Sequence, residues 1–154
     1  MNDREAPEAS YHETRTEVRY AETDQMGYAH HACAVAWFEL GRVAWMRELG
    51  CPYRELEARG ILMPVVRLDL RYVAPGRFED NLVIGTRLLE LRRARVVFEN
   101  RVEREASDGA RELLVQGAVE LACVDREGRI QRLPGDVRAR FESRLPGGAG
   151  PVRP

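Results

Sequence analysis

The sequence predicts a single α+β domain in which an antiparallel sheet of about five strands curls around one long central helix. Between Ala32 and Met46 the chain is apolar at almost every position, which is typical of a buried helix. From Val66 onward the apolar residues recur at every second position, as they do in half-buried strands. With 154 residues, the chain has room for one core and no second domain.

The N-terminal part is predicted to be a flexible segment, then a strand, then a loop. Residues 1–12 are polar without any period, and the tail 146–154 is rich in Gly and Pro, so we expect both to be flexible. The folded domain is therefore 13–145. A first strand is expected over Thr14–Tyr20, and it leads into the loop that holds Asp24.

Two helices are predicted next. The long apolar helix over Ala32–Met46 is ended by Gly50 and Pro52. Its residues leave almost no polar face, so we expect it to be buried. A second, short helix has Pro52 in its first turn and is closed by Gly60.

The rest of the chain is predicted to form the sheet. In Val66–Tyr72, apolar residues alternate with charged ones, which predicts a strand with one buried face. Successive hairpins make the sheet antiparallel, and its open edges invite pairing with a second copy, so we expect a homodimer. The remaining predicted elements are strands over Leu82–Leu91, Arg95–Glu105 and Leu113–Asp125, turns at 92–94, 106–109 and 126–128, and a short helix near Asp136–Leu145.

Composition excludes several function classes. All 24 basic residues are arginine and the net charge is −1, so a lysine Schiff base is absent and a nucleic-acid surface is not expected. Phosphate binding, if present, requires arginine forks and backbone amides. Cys33, Cys51 and Cys123 have neither pairing nor metal spacing, so neither disulfides nor a metal site is expected. The acidic N-terminus is no secretory signal and no apolar run is long enough to cross a bilayer, which predicts a cytoplasmic protein without membrane insertion.

The densest cluster of chemistry lies between Tyr20 and His31, where a carboxylate, a glycine turn and a histidine precede a helix start. A helix start offers unpaired N–H groups to a developing oxyanion. Asp24 could attack a substrate or activate water beside it. The alternative is that Asp24 only forms a turn and His31 only caps the helix.

A series of short stretches over most of 14–135 forms a recognisable pattern. They are Val18–Tyr20, Thr23–Asp24, Gly27, His31–Ala32, Trp37–Glu39, Trp45–Gly50, Leu70–Tyr72, Pro75–Phe78, Val96–Glu99 and Leu121–Asp125. In these stretches the chain resembles the 4-hydroxybenzoyl-CoA thioesterase family, and within it the Tol-Pal-associated acyl-CoA thioesterase branch. This resemblance implies a hotdog fold and hydrolysis of acyl-CoA thioesters. It also implies active sites at a dimer interface and dimers that often pair into tetramers.

The resemblance also assigns roles to individual residues. It makes Asp24 the catalytic carboxylate, as nucleophile or general base, and it places a functional histidine at His31. Tyr20 matches a tyrosine near the site, so we expect it to be a catalytic residue that orients Asp24 or its water through the phenol; the alternative is a place in the core. His30 and Cys33 depart from the family pattern, and we expect both to line the substrate pocket. A cysteine at a helix start can also be a nucleophile, which is the competing hypothesis for Cys33.

Three further expectations concern the oxyanion donors, the phosphates of coenzyme A and the pairing of Glu39. The backbone N–H groups around 29–32 are the predicted oxyanion donors. Arg92 and Arg93, in a tight hairpin, are candidates for the phosphates of coenzyme A, although a solvated charge pair is the alternative. Glu39 lies on an apolar helix and is expected to pair with Arg42 or a strand arginine.

The leading interpretation is an acyl-CoA thioesterase that needs no metal or redox cofactor. One alternative is a thioesterase for acyl carrier protein. A different class is a non-catalytic acyl-binding domain, in which the change at Cys33-Ala34 has abolished turnover. A hydratase or dehydratase fits the motif less well, because those enzymes arrange their acid-base pair differently.

Overall fold

A computed structural model of the chain describes residues 10–146. The chain forms one five-stranded antiparallel sheet with a long helix on one face, which confirms the predicted α+β fold. None of the described helices has the length and apolar character needed to cross a lipid bilayer. The elements in chain order are β1 His12–Glu17, a 3-10 turn Tyr20–Glu22, α1 Cys33–Glu48, α2 Tyr53–Ala58, β2 Val65–Tyr72, β3 Asn81–Leu91, β4 Arg95–Glu105, β5 Arg111–Ala122 and α3 Gly135–Glu142.

The strand order is β1-β3-β4-β5-β2, so β1 and β2 are the two edges. β3, β4 and β5 follow one another as hairpins, as predicted. β2 reaches β5 by pairing Val65 with Leu121 and Tyr72 with Val115. The start of β2 therefore lies beside the end of β5, and its end lies near the loop that holds Asp24.

The N-terminal boundary differs from the prediction. β1 starts at His12, inside the segment predicted to be flexible, and ends at Glu17, so Tyr20 belongs to the 3-10 turn instead. Tyr11 lies between the guanidinium groups of Arg87 and Arg101, 4.7 and 4.2 Å from its ring centre. These cation–π contacts order residues that local composition alone suggested would be free. Residues 1–9, and the tail from 147, lie outside the described residues.

The long helix α1 ends as predicted. Gly50 has a φ of +73° and donates to the Arg47 carbonyl, while Cys51 donates to that of Met46, a glycine-terminated helix end. The expected complete burial of α1 is wrong, because the sheet covers only one side of it. Val35 and Leu40 remain 38% and 41% exposed.

The core lies between α1 and the middle of the sheet. Gly41 lets the helix approach the side chains of Ile84 and Thr86 closely, and Thr86 accepts a 2.7 Å hydrogen bond from the buried Asn100 amide. Further along, the Trp45 ring packs edge-on against Phe98 and Phe141, with centroids 5.1 and 5.2 Å apart. This contact attaches α3 to the core.

The prediction that β2 has one buried face is also wrong for the isolated chain. Seven of its eight residues are exposed and Leu70 is half-buried. The alternation is real, but β2 is an edge strand that α1 does not cover. Its apolar residues, such as Val66 and Leu68, therefore remain at the surface.

Candidate active site

A cavity of about 300 Å³ lies where the loop after the 3-10 turn, the start of α1 and the end of β2 meet. It brings together Asp24, His30 and His31, which the sequence predicted to share a site. Residues from distant segments complete it, and the sequence analysis missed them. The other lining residues are Met26, Tyr28, Ala29, Ala34, Trp37, Tyr72, Val73, Ala74, Pro75, Gly76, Leu114 and Val115.

Asp24 is held in a tight turn. Its backbone N–H donates to the Tyr28 carbonyl and its own carbonyl accepts from Gly27, whose φ of +77° suits glycine. Its Oδ1 accepts the Met26 N–H at 2.9 Å. The other oxygen, Oδ2, has no hydrogen-bond partner within residues 10–146. Forming the turn therefore uses only one of the two carboxylate oxygens.

The two predicted roles of a histidine at the helix start, capping and contact with a ligand, fall to different residues. Nδ1 of His30 accepts the Ala32 N–H at 3.2 Å, so His30 caps the helix start rather than His31. The rings of His30 and His31 stack with centroids 4.2 Å apart. The His31 imidazole makes no hydrogen bond to the described part of the chain, which leaves it available to a ligand.

Only one of the predicted oxyanion donors has no hydrogen-bond acceptor among the described residues. Three of the four N–H groups over 29–32 are already used: Ala29 donates to Gly76, His30 to Glu22 and Ala32 to the His30 ring. The N–H of His31 alone among these four has no acceptor in the described chain. His31 lines the same cavity as Asp24.

Glu22 supports this arrangement and was missed by the sequence analysis. Its backbone carbonyl accepts the His30 N–H at 2.7 Å, and its carboxylate accepts the Arg19 N–H at 2.8 Å and the Arg19 guanidinium at 3.0 Å. Burial acts to raise the pKa of Glu22, but the Arg19 hydrogen bonds and the Arg19 charge outweigh it and lower that pKa. Glu22 is thus a buried carboxylate that stays charged.

Tyr20 and Cys33 do not line the cavity. Tyr20 is 77% exposed and packs edge-on against Phe78 at 5.5 Å, so its predicted contact with Asp24 is absent. The Cys33 thiol donates to the Glu22 carbonyl at 3.5 Å. Burial and the Glu22 charge raise the pKa of Cys33, which is the opposite of what a cysteine nucleophile requires.

The hairpin of Arg92 and Arg93 is remote from this cavity within one chain. β3 begins beside the loop that holds Asp24 and spans 11 residues, so the hairpin lies at the opposite end of the strand, up to about 33 Å along it. Arg92 is also paired with Glu90, at 2.6 and 3.0 Å. Any contact with the substrate bound at this cavity would have to come from a second copy.

Glu39 differs from its predicted environment. It lies on the exposed side of α1 and forms no ion pair with any described residue. Its charge still acts on Arg42, one of the expected partners, without a close ion pair, because it raises the pKa of that guanidinium against the effect of burial. Residues 10–146 contain no group of three or more His, Cys, Asp or Glu side chains arranged to hold a metal ion.

Comparisons with known proteins point to one family. The model of the thioesterase superfamily matches residues 26–110. YneP of Bacillus subtilis is 35% identical over 111 residues, covering 72% of this chain and 78% of that protein. YbgC of Escherichia coli, named an acyl-CoA thioester hydrolase, is 29% identical over 81% of this chain and 91% of its own length. The structure of a DHNA-CoA thioesterase from Staphylococcus aureus superposes with a TM-score of 0.79 at 30% identity, covering 85% of this chain and 88% of that one.

Proposed function

The chain belongs to the thioesterase superfamily and is a thioester hydrolase, and we propose that it hydrolyses an acyl-CoA to the free acid and coenzyme A with Asp24 as its catalytic carboxylate. One observation carries this proposal: Asp24, with one oxygen free, shares a cavity with the unpaired N–H and free imidazole of His31. The names of the relatives support the substrate class, since YbgC is named for acyl-CoA.

In the proposed reaction the thioester carbonyl oxygen accepts the His31 N–H. Charge that develops on this oxygen is then stabilised by a donor already in position. Asp24 either attacks the carbonyl carbon to form an anhydride that water hydrolyses, or removes a proton from water as it attacks. In both routes the carbon–sulfur bond breaks and the thiolate leaves, to be protonated from water or the His31 imidazole. The chemistry needs only these groups, so we propose that no metal or redox cofactor takes part.

We also propose that the working form is a homodimer joined along β2. The unpaired edge of β2 carries exposed apolar residues, among them Val65, Val66 and Leu68, and such an edge is a ready template for another strand. Antiparallel pairing of two β2 strands would place the start of one beside the end of the other. The Arg92–Arg93 hairpin of the second copy would then approach this cavity.

The proposal is tested with Asp24→Asn. Release of coenzyme A is followed with a thiol reagent across acetyl, hexanoyl, palmitoyl, benzoyl and phenylacetyl thioesters. Loss of general-base function predicts a fall of about 10²–10⁴-fold in kcat, with an unchanged melting temperature.

Asp108→Asn is the matched control. Oδ1 of Asp108 accepts the Ala110 N–H at 2.9 Å in a turn closed by a glycine with φ +84°, so it copies the Asp24 turn at a hairpin outside the cavity. This variant should keep the wild-type rate. Full activity in Asp24→Asn would remove Asp24 from the mechanism, and no wild-type turnover of any thioester would favour an acyl-binding or carrier-protein role.

A further inference from the structure

One face of the edge strand β2 carries a row of alternating charges. Arg67, Asp69 and Arg71 lie at every second position, so they share one face of the strand. All three are exposed, and none forms an ion pair with a residue of the described chain. By contrast, Arg111 of the neighbouring strand β5 pairs with carboxylates of β1 and β4. The charges of β2 are therefore available to a second strand.

Only part of β2 can continue into a regular ladder with such a strand. The pairing of β2 with β5 shifts register between Val65 and Arg67, which indicates a β-bulge at Val66. From Arg67 to Tyr72 the register is uninterrupted. Because a bulge interrupts pairing at a sheet edge, we expect a second strand to pair with the regular segment 67–72.

The backbone hydrogen bonds show which residues of this segment face the free edge. The N–H of Val73, the next residue, donates to the Leu114 carbonyl of β5 at 2.8 Å. In an antiparallel ladder, successive residues turn their N–H and C=O groups to opposite sides of the strand. Leu68, Leu70 and Tyr72 therefore present theirs to the free edge.

A two-fold axis and the charges together restrict how two β2 strands can pair. When both copies turn the same face of the sheet outward, one residue lies opposite its own copy, and its neighbours pair symmetrically around it. With Asp69 on the axis, two carboxylates would meet and Arg67 would face Arg71. With either arginine on the axis, two guanidinium groups would meet. Like charges directly opposite each other are destabilising, so the axis must lie at Leu68 or Leu70.

The bulge decides between these two leucines. An axis at Leu68 would pair Leu70 with Val66, which lies at the bulge, so only the short stretch around the axis would be regular. An axis at Leu70 keeps the whole stretch from Leu68 to Tyr72 inside the regular segment. It also pairs residues whose backbone groups face the free edge.

We propose that the homodimer pairs its two β2 strands with Leu70 on the two-fold axis. This inference rests on the homodimer of the proposed function and adds its register. On one face of the sheet, Asp69 lies opposite Arg71 of the second copy, and the symmetry repeats this pair. On the other face, Leu68 lies opposite Tyr72 of the second copy.

This register gives the second copy a part in the cavity that holds Asp24. Tyr72 lines that cavity and its hydroxyl donates to the His31 carbonyl, but in one chain Tyr72 is 50% exposed. Leu68 of the second copy packs against this ring, a favourable kind of cross-strand pair. The dimer therefore covers the side chain that bonds to His31, and Leu68 acts on the site through Tyr72.

Charge reversal tests the register by rescue. Sedimentation of the full chain over a dilution series measures the dissociation constant of the dimer. Asp69→Arg sets like charges against each other, so we expect that constant to rise by about 10- to 100-fold. Adding Arg71→Asp should restore most of the lost affinity, whereas adding Arg67→Asp should not. Rescue by Arg67→Asp instead would move the axis to Leu68 and overturn the inference.

A disulfide tests the axis residue directly. In Leu70→Cys the two thiols lie opposite each other with Cα atoms about 5.5 Å apart, which a disulfide can span, so oxidised glutathione should link the dimer covalently. Leu68→Cys is the matched control, because its two thiols lie four residues apart along the strands, about 13 Å. It should stay unlinked, as should the wild type. A link in Leu68→Cys, or none in Leu70→Cys, would contradict the register.

These outcomes separate the register from the function on which it rests. A chain that stays monomeric at every concentration would overturn both the register and the homodimer. A dimer that fails the rescue and the disulfide test would overturn the register alone. The proposed hydrolysis has its own readout, the loss of coenzyme A release in Asp24→Asn, which does not depend on either measurement.

Discussion

The Tyr72 hydroxyl donates a 2.7 Å hydrogen bond to the carbonyl oxygen of His31. Tyr72 is the last residue of β2, and His31 lies just before α1. The bond therefore joins the edge strand to the start of the helix. Because the N–H that we propose as the oxyanion donor also belongs to His31, Tyr72 helps to set the position of that donor.

Tyr72→Phe removes this hydrogen bond while keeping the ring against the cavity. We expect a loss of about 0.5–1.5 kcal/mol in the free energy of unfolding. If a similar amount is lost in the transition state, kcat falls by up to about tenfold, and KM for acyl-CoA stays nearly constant. Denaturant unfolding and steady-state kinetics measure the two effects.

Tyr20→Phe is the control, because the Tyr20 side chain is exposed and its hydroxyl has no hydrogen-bond partner within the described residues. It should leave both stability and rate unchanged. A rate loss as large as that of Tyr72→Phe would show that Tyr20 acts on the substrate in a way that a single chain does not reveal.

Glu22→Gln tests whether the buried carboxylate positions the catalytic loop. The change keeps the shape of the side chain but replaces charge-assisted hydrogen bonds from Arg19 with neutral ones, so we expect a loss of about 1 kcal/mol in stability at neutral pH. The His30 cap should become less ordered and kcat should fall, with a smaller change in KM. Unfolding curves and kinetics are compared with Glu17→Gln, an exposed glutamate near the same loop. Equal behaviour of the two variants would exclude the positioning role.

The hydrogen bonds between Asp136 and Arg59 predict that the free energy of unfolding depends on pH. Arg59 donates two hydrogen bonds of 2.9 Å to its carboxylate, and this contact lowers the pKa of Asp136 from 3.8 to about 2. Because the folded pKa lies below the unfolded one, the stabilisation is present above about pH 4 and is lost as the pH falls toward 2.

The measurement is the denaturation midpoint of wild type and Asp136→Asn between pH 2 and 7. The two curves should converge as the pH falls through that window, and Arg59→Gln should give the same flattened acid limb. A constant separation down to pH 2 would contradict the assigned cause.

Local pattern predicted the elements well where local chemistry decides them. The end of α1 follows from Gly50, whose positive φ the helix terminus uses directly. The burial of β2 could not be predicted, because alternation shows which residues share a face but not whether anything covers it. The exposed side of α1 could not be predicted for the same reason.

The site was predictable where it is continuous in sequence. Asp24, His30 and His31 are seven residues apart at most, so their presence in one cavity follows from the loop alone. Tyr72 and Gly76 reach the cavity through the path of β2, which one sequence does not fix. The choice of His30 as the cap depends on backbone angles, and the distance of Arg92 depends on strand length and direction.

Gly41→Ala tests the close approach of α1 to the sheet. An added Cβ would overlap the Thr86 hydroxyl and lie 2.7 Å from a methyl carbon of Ile84, and both side chains are fully buried. Alanine is the better helix former by about 1 kcal/mol, but overpacking costs about 1–3 kcal/mol. We therefore expect net destabilisation, measured by denaturant unfolding.

Gly135→Ala is the matched control: its added Cβ meets nothing within 4 Å, so it should be neutral or slightly stabilising. Higher stability in Gly41→Ala would mean that the sheet can yield to the helix, and that the Thr86–Asn100 hydrogen bond does not fix their spacing.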